Sequence, residues 1–257
     1  MATLVSDDGG DEARQRAAQR GLTRLLVRDM RRLRRIIVPS RLQATMPDWI
    51  EAVRALVGQY GQASQSLAAD YYEAQRIAAR VTGRFTVPLL DPPPDEQVDA
   101  SLRWTTKDLW PREPDDPKTT DAQREPLETR LEQAEKKAEA VAQKLVVDQG
   151  RDAVREAVRR DPQATAWARA AALGACAFCK LLATRGAVYK QDTADFRSHD
   201  NCHCGVVPVF KGQRFELSDH AREWERLYRE YAAPHSGDQL ARFRRALAEH
   251  GHLPAAS

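Results

Sequence analysis

Residues 174–210 read GACAFCKLLATRGAVYKQDTADFRSHDNCHCGVVPVF, and this stretch holds all four cysteines of the 257-residue chain. Cys176-Ala-Phe-Cys179 is followed, after nineteen residues, by His199-Asp-Asn-Cys202-His203-Cys204. Two ligand pairs of this spacing, roughly 15 to 20 residues apart, are typical of a structural zinc site in which histidine replaces one cysteine. A tight turn lets both members of a pair face one ion, so two turns complete a tetrahedron.

Five candidate ligands compete for the four positions around such an ion. The spacing favours Cys176, Cys179, His199 and Cys202. An all-cysteine site is the alternative, because Cys202 and Cys204 project to the same face of an extended segment. In that case His199 would orient a thiolate without touching the metal. We therefore predict a structural Zn²⁺ held by four of these candidates: Cys176, Cys179, His199, Cys202 and Cys204.

Three other roles for the cysteines are weaker. Four reduced, buried thiols can act simply as small hydrophobic side chains. A redox dithiol should open a helix that follows a strand, whereas residues 167–173 are predicted to continue a helix into Cys176. A catalytic zinc needs an open position and a nearby acid or base, and the chain has no His-x-Glu or HExxH pattern. No catalytic residue is predicted.

Upstream, the apolar residues recur at helical spacing. A first helix is predicted from Leu22 to about Ile37, before Pro39. A second helix is predicted from Pro47 to about Arg80, with Thr45 as its N-cap. Together they predict an N-terminal helical hairpin over residues 1–85.

The middle of the chain changes composition twice. Residues 86–125 contain seven of the 14 prolines, which predicts a linker or strap with one short helix from about Asp95. Residues 126–165 predict a helical arm with a narrow apolar stripe, broken near Gly150. The stripes of hairpin and arm are long for a chain of this size, so we expect part of their apolar surface to remain exposed.

Residues 166–257 predict a small zinc-stapled α+β domain that ends in two helices. The strand candidates are Val188-Tyr189 and residues 205–210, which are rich in β-branched and aromatic residues. Ser218 and Asp238 are placed to start the two helices. The predicted fold class is mainly α: a long helical hairpin and a helical arm with a small zinc-stapled α+β C-terminal domain.

Charge and hydropathy exclude some classes of protein. The 40 basic and 37 acidic residues give a net charge of +3, too close to balance to indicate a nucleic-acid coat. No apolar run approaches the roughly 18 residues that a membrane-spanning helix needs. The first ten residues show no secretory signal, which predicts that the chain stays in the cytoplasm where it is made.

One basic segment is an exception to this balance. Residues 24–41 contain seven arginines and one aspartate. The segment could be a solvated helix face paired with acidic residues elsewhere, or it could make weak contact with DNA. The DNA-contact candidates are Arg24, Arg28, Arg31, Arg32 and Arg35.

The cysteine region also resembles a known family. The resemblance is carried by Trp167-Ala-Arg169, Gly174-Ala-Cys176-Ala-Phe-Cys179, Leu182-Ala183, Arg185-Gly186-x-Val188-Tyr189, His199-x-x-Cys202-x-Cys204 and Pro208-Val-Phe210. These residues resemble the phage Mu F-like minor head proteins of tailed phages, particularly those of actinobacterial phages. The flanking helices are similar more loosely, and about three quarters of the chain is covered.

The resemblance implies a minor capsid or head morphogenesis protein without enzymatic activity. It implies docking on the phage portal protein and on major capsid or scaffold proteins, in multiple copies per head. It places the protein in the virion, inside the capsid or near the portal, and in the host cytoplasm during assembly. The five candidate ligands correspond to the family's metal-type motif.

Two alternative functions come from other classes of protein. A zinc-containing nucleic-acid-binding module would use the cysteine cluster together with the arginine segment. A capsid maturation protease would need a nucleophile and a base. Ser218-Asp219-His220 has the residue types of a hydrolase triad, but adjacent helical side chains splay about 100° apart, so helix capping is the better interpretation.

Overall fold

The computed structural model describes residues 2–5 as backbone, and residues 10–110, 116–189, 198–199, 202 and 204–253 in full. The protein is mainly helical, as predicted. Eight α-helices occur in this described part: α1 Asp11–Leu33, α2 Leu42–Ala78, α3 Asp95–Thr106, α4 Asp121–Arg124, α5 Leu127–Arg160, α6 Ala177–Ala183, α7 Asp219–Tyr231 and α8 Gln239–Glu249. Three single turns of 3₁₀-helix lie at Arg34–Ile36, Pro39–Arg41 and Lys107–Leu109.

Four short strands form two separate two-stranded sheets: β1 Ala2–Val5, β2 Ala164–Ala170, β3 Gly205–Phe210 and β4 Gln213–Glu216. β1 pairs with β4 in parallel, and β2 pairs with β3 in antiparallel register with Trp167 opposite Pro208. The strand predicted at 205–210 is therefore confirmed as β3. Of the pair predicted at 188–189, only Tyr189 forms a bridge, to Trp167.

Helices α1, α2 and α5 form a bundle whose directions follow from contacts along their lengths. Gln19 of α1 donates to the carbonyl oxygen of Ser64 in α2, while Asp29 accepts from the Tyr60 hydroxyl at 2.6 Å. Residues nearer the C-terminus of α1 therefore contact residues nearer the N-terminus of α2, and the two helices form an antiparallel hairpin. Arg31 of α1 pairs with Glu139 at 2.8 Å, while Gln19 lies beside Gly150, so α1 is antiparallel to α5 as well.

The proline-rich strap carries the chain back along α2, so that α2 and α5 run in the same direction. The side-chain amide of Gln65 both donates to the carbonyl of Leu90 at 3.1 Å and accepts from its N–H at 2.7 Å. Farther along, Arg54 of α2 pairs with Asp99 of α3. The predicted strap and short helix are thus present, and the strap is fixed to the bundle by a buried polar side chain.

The apolar stripes of α1, α2, α3 and α5 meet in what we call the helical core. Its residues include Leu26, Met46, Trp49, Val53, Val57, Leu102, Leu131, Ala138 and Val146, each at most 3% exposed. The expectation that part of these stripes stays exposed holds only at their edges, where Leu56, Tyr60, Leu127 and Leu145 are partly buried. Each stripe covers the other, because the strap lets two long helices lie side by side.

Glycines lie where α2 and α5 approach most closely. A Cβ at Gly150 would lie 2.5 Å from the Ser64 hydroxyl, and a Cβ at Gly61 would overlap the Gln149 side chain. The predicted break at Gly150 is wrong, since α5 continues through it. The missing side chain permits helix contact, which outweighs the low intrinsic helix propensity of glycine.

A second cluster of buried residues, here called the cysteine core, joins the ends of α2 and α5 to the C-terminal region. It contains Tyr72, Val154, Val158, Trp167, Phe210, Trp224, Phe243, Cys179, Cys202 and Cys204. The division into units 1–85, 86–125, 126–165 and 166–257 stays a prediction. The cysteine core nevertheless includes residues on both sides of position 165.

Three local predictions are wrong and two are confirmed. Helix α1 begins at Asp11, eleven residues before the predicted start at Leu22. A helix is predicted over residues 167–173, but 164–170 form β2, because pairing with the valine-rich β3 overrides the helix propensity of alanine. The Cys176–Cys179 pair therefore does open a helix that follows a strand, contrary to the reason given for setting aside a redox dithiol, although β2 and β3 are antiparallel rather than a parallel βαβ unit. Helix α2 begins at Leu42, five residues before the predicted start, with Pro47 inside it. Ser218 caps α7 as predicted, accepting from the Ala221 N–H at 3.2 Å, and Asp238 precedes α8.

In the part of the chain that the structure describes, no helix is both long enough and apolar enough to cross a lipid bilayer.

Candidate metal centre

Helix α6 positions the first pair of candidate ligands. Cys176 is the N-cap residue, with extended backbone angles, and its Sγ accepts from the Cys179 N–H at 3.5 Å. A cysteine sulfur thus does what a serine oxygen does at many helix starts. Because Cys179 lies in the first turn, this cap brings both sulfurs to the same end of α6.

The second pair of candidate ligands comes from the segment that leads into β3. The Cys202 N–H donates to the carbonyl of His199 at 3.1 Å, which closes a turn between these two residues. His199 Nε2 lies 2.9 Å from the sulfur of Cys176 and 3.6 Å from that of Cys179. The sulfurs of Cys179 and Cys202 are 3.5 Å apart.

These separations test whether a metal ion fits. Zinc–ligand bonds of about 2.3 Å to sulfur and about 2.0–2.1 Å to nitrogen give tetrahedral edges of about 3.8 Å between sulfurs and about 3.6 Å between sulfur and nitrogen. The Cys179 contacts to His199 and Cys202 are close to those edges, while the Cys176 contact to His199 is shorter. The cluster could therefore bind a metal such as zinc.

The candidate ligands form two overlapping groups that share Cys179. The ligand atoms of Cys176, Cys179 and His199 all lie within 4.8 Å of one another, and so do those of Cys179, Cys202 and Cys204. The structure thus brings together all five predicted ligands. Both predicted sets, with His199 or with four cysteines, remain open. His203, predicted to point away, lies outside the described residues.

One side of the cluster is buried in the protein and the other side is open to solvent. Cys179, Cys202 and Cys204 are at most 4% exposed, whereas Cys176 is partly exposed and His199 is exposed. None of the four cysteines forms a disulfide. Solvent reaches the cluster from the Cys176 and His199 side.

The thiols share protons unequally: the pKa values of Cys176 and Cys202 are lowered, and those of Cys179 and Cys204 are raised. Hydrogen bonding from the Cys179 thiol lowers the pKa of Cys176 to about 5, with nearby His199 acting in the same direction. The pKa of Cys202 is also lowered, first by the Cys179 thiol, while donation to both neighbours raises the pKa of Cys179 itself. Thiolates are the form that binds metal.

Buried cations surround the sulfurs, and sequence reasoning missed them. Arg169, on β2, is 1% exposed and its guanidinium lies 3.7 Å from the Cys179 sulfur. Lys180 is fully buried; it donates to the His252 carbonyl and its ammonium lies 5.1 Å from the centre of the Trp224 ring. Burial lowers the pKa of Lys180, and the charges on Cys176 and Cys204 oppose that shift.

Buried positive charge of this kind disfavours folding unless negative charge lies nearby. Three or four thiolates around a divalent ion carry a net charge of about −1 to −2, which the cations offset. Two signals in the sequence could have identified them: Arg169 ends the Trp167-Ala-Arg169 part of the family resemblance, and Lys180 directly follows Cys179.

The other predicted sites have simpler roles. Ser218 caps α7, and the His220 ring lies 6.4 Å from that of Trp224, so neither forms a hydrolase triad with Asp219. In the arginine segment, Arg31 and Arg34 pair with glutamates of α5, and Arg28 and Arg32 pair with Asp29. Among the described contacts, Arg24 and Arg35 have no ion pair.

Comparison with known proteins gives one match. A search of curated proteins and a search of solved structures each found no match. The model of the VG15 protein family matches residues 7–231, which include the helical bundle and every cysteine. The chain therefore belongs to the VG15 protein family.

Proposed function

We propose that the chain is a minor capsid or head morphogenesis protein of a tailed phage, similar to the phage Mu F-like minor head proteins. It acts without catalysis by docking on the portal and the inner capsid shell, and a structural zinc ion holds its cysteine core together. It is present in several copies per head, inside the capsid or near the portal, and in the host cytoplasm during assembly.

The observation that carries this proposal is that the residues of the family resemblance form one structural unit. Trp167 pairs with Pro208 between β2 and β3, and its ring stacks on Tyr189 with centroids 4.3 Å apart. Cys179 and Cys202, from opposite ends of the motif, touch in the same core. Widely separated motif residues that meet in this way support the resemblance more strongly than their order in the sequence does.

A structural role for the metal is supported by the donor set. Sulfur-rich sites that supply four protein ligands are closed and leave no position for a substrate. The ion would therefore contribute folding energy to the cysteine core.

Most of the apolar stripe residues pack in the helical core, so larger exposed apolar side chains are the better candidates for a docking surface. Trp104 of α3 is 53% exposed and Trp110, just beyond it, is 37% exposed. Trp110 lines a groove of about 740 Å³ between α2 and α3, together with Ile50 and Arg54. Tryptophan and arginine are enriched at protein interfaces, which makes this groove the first region to test.

The test is cross-linking and hydrogen-exchange mass spectrometry of the full chain with a candidate portal protein. We expect cross-links and slowed exchange in α3 and the first half of α2, and weaker capture by a Trp104→Ala, Trp110→Ala double variant. Leu173→Ala, at another exposed apolar position, is the matched control. Unchanged exchange on adding portal, or cleavage of capsid protein by the purified chain, would contradict the proposal.

The nucleic-acid-binding alternative has less support. Three of the five proposed DNA-contact arginines already pair with acidic side chains, and the cations described in contact with the cysteine cluster, Arg151 and Arg169, are buried. Phosphate contacts require arginines or lysines that can reach outward. Of the five candidates, Arg24 and Arg35 meet that requirement among the described ion pairs.

A further inference from the structure

One turn of α5 holds both ends of the segment that carries three candidate ligands. Asp148 and Arg151 lie three residues apart and pair at 2.6 Å. The Ser198 hydroxyl, next to His199, contacts both carboxylate oxygens of Asp148 at 2.9 and 2.8 Å. Arg151 donates to the carbonyls of Cys202 and Cys204 at 2.5 and 2.9 Å.

Arg151 also reaches a metal-binding atom directly. Its guanidinium lies 3.4 Å from the sulfur of Cys202, and its side chain is only 4% exposed. A buried guanidinium with donors in a fixed planar fork can satisfy two carbonyls and a sulfur at once, which the point charge of a lysine cannot do. The contacts therefore fix the backbone carbonyls of Cys202 and Cys204 as well as the Cys202 sulfur.

We propose that Asp148 and Arg151 are positioning residues that hold Ser198, Cys202 and Cys204 ready for the metal. This rests on the proposed zinc site. Residues that orient metal ligands from outside the coordination sphere typically account for about 10- to 100-fold in metal affinity. Metal binding and the contacts of Asp148 and Arg151 are thermodynamically coupled. If these contacts raise the metal affinity by some factor, bound metal raises the equilibrium constant for forming the contacts by the same factor.

The consequence concerns the whole molecule, because α5 is one unbroken helix. Its first half packs in the helical core and its last turns pack in the cysteine core. Gly150, between the two positioning residues, lies against Ser64 of α2. The metal thus fastens the C-terminal region to the middle of the bundle rather than stabilising a separate small domain.

The test measures zinc affinity of the full chain by competition with a chromophoric zinc chelator at fixed pH. We expect Arg151→Lys and Asp148→Asn each to weaken zinc binding by about 10- to 100-fold. Arg76→Lys is the matched control: Arg76 is a similarly buried arginine that pairs with Asp161 and contacts none of the five ligands. It should lower the unfolding midpoint and leave zinc affinity within about twofold of wild type, because its effect is on folding alone.

A second readout separates positioning from general stability. Cobalt(II) in place of zinc reports its sulfur ligands by visible absorption, and we expect Arg151→Lys to shift that spectrum because the guanidinium no longer reaches the Cys202 sulfur. If Arg151→Lys does not fold, Asp148→Asn and Ser198→Ala carry the test. A wild-type chain that binds no zinc would overturn the proposed site. Tight zinc binding by wild type and by these variants alike would overturn this inference alone.

Discussion

The two cores of this protein are stabilised by different physics. The helical core is built from long apolar stripes and contains residues such as Val53, Leu102 and Leu131 that are completely buried. The cysteine core contains thiols and tryptophans, with Arg169 and Lys180 buried beside them. The helical core can form by burying apolar area, whereas the cysteine core holds buried charge that apolar packing cannot offset.

The difference shows what a metal ion would contribute. A fully buried Leu or Val side chain contributes about 1.5–3 kcal/mol. Apparent zinc binding energies in small structural sites are about 10–16 kcal/mol at pH 7. One ion could therefore match several large side chains, in a core that also buries Phe210, Trp224 and Phe243.

The largest effect should come from Cys179→Ser, because Cys179 belongs to both groups of candidate ligands. We expect wild type to carry about one zinc per chain and the variant to carry less than roughly 0.2, with unfolding of the cysteine core. Elemental analysis of untagged protein and hydrogen-exchange mass spectrometry measure the two effects. Retained protection in the first half of α2 is the internal control, and its loss would show that the two cores are not separable.

The choice of ligand set can be sharpened with a pair of variants. Because His199 Nε2 faces the sulfurs of both Cys176 and Cys179, we expect His199→Ala to lose zinc and Cys204→Ser to keep it. Zinc content and the cobalt spectrum measure this. The reverse result would assign the all-cysteine set and leave His199 as an orienting group.

In the helical core, Leu131→Ala should lower the free energy of unfolding by about 2–5 kcal/mol, since it leaves a cavity at a completely buried position. Zinc content should stay at the wild-type level. Thermal and denaturant unfolding measure the change, with Leu89→Ala, 70% exposed in the strap, as the control expected to stay within about 0.5 kcal/mol. Loss of zinc from folded Leu131→Ala protein would contradict the separation of the cores.

A smaller effect is expected where α2 and α5 touch. Gly150→Ala should destabilise the protein by about 1–3 kcal/mol, because the new methyl group would meet Ser64 at 2.5 Å. Gly58→Ala is the matched control on α2: nothing lies within 4 Å of its added Cβ, so helix propensity should stabilise it by up to about 1 kcal/mol. Denaturant unfolding measures the change in the free energy of unfolding for both variants. Changes of opposite sign would confirm the close contact, and changes of the same sign would refute it.

Gly150 also illustrates what the sequence could and could not predict. Local patterns are sufficient for helices α1, α2, α3, α5, α7 and α8, for β3, for the Ser218 cap and for the five residues of the cluster, because each depends on neighbours in the chain. The role of Gly150 depends on Ser64, which is far away in the sequence and belongs to another helix. Periodicity carries no information on such a contact, so a glycine that permits packing is indistinguishable from a helix break.

The same reason explains the missed parts of the site. Asp148 and Arg151 are an ordinary i, i+3 ion pair on a charged helix until tertiary structure brings Ser198 and Cys202 to them. Residues 164–170 are alanine-rich, and such sequence favours a helix in isolation. Their strand forms only because β3, much later in the chain, supplies the hydrogen bonds.

The smallest effects are expected on the arginine face that lies over the helical core. Arg31 pairs with Glu139 of α5, whereas Arg24 is exposed and has no ion pair among the described contacts. Exposed ion pairs contribute little to stability, so Arg31→Glu should lower the unfolding midpoint slightly, by placing like charges together, and Arg24→Glu should leave it unchanged.

DNA binding by the same variants distinguishes a paired face from a nucleic-acid surface. We expect weak, nonspecific and salt-dependent binding, reduced more by Arg24→Glu and Arg35→Glu than by Arg31→Glu, because only side chains without a protein partner are available to phosphates. A fluorescence titration at several salt concentrations measures this, and removing one arginine that binds a phosphate should reduce the salt slope by about 1. If the affinity and slope of all three variants equal those of wild type, the arginine face serves to attach α1 to α5 and has no role in binding nucleic acid.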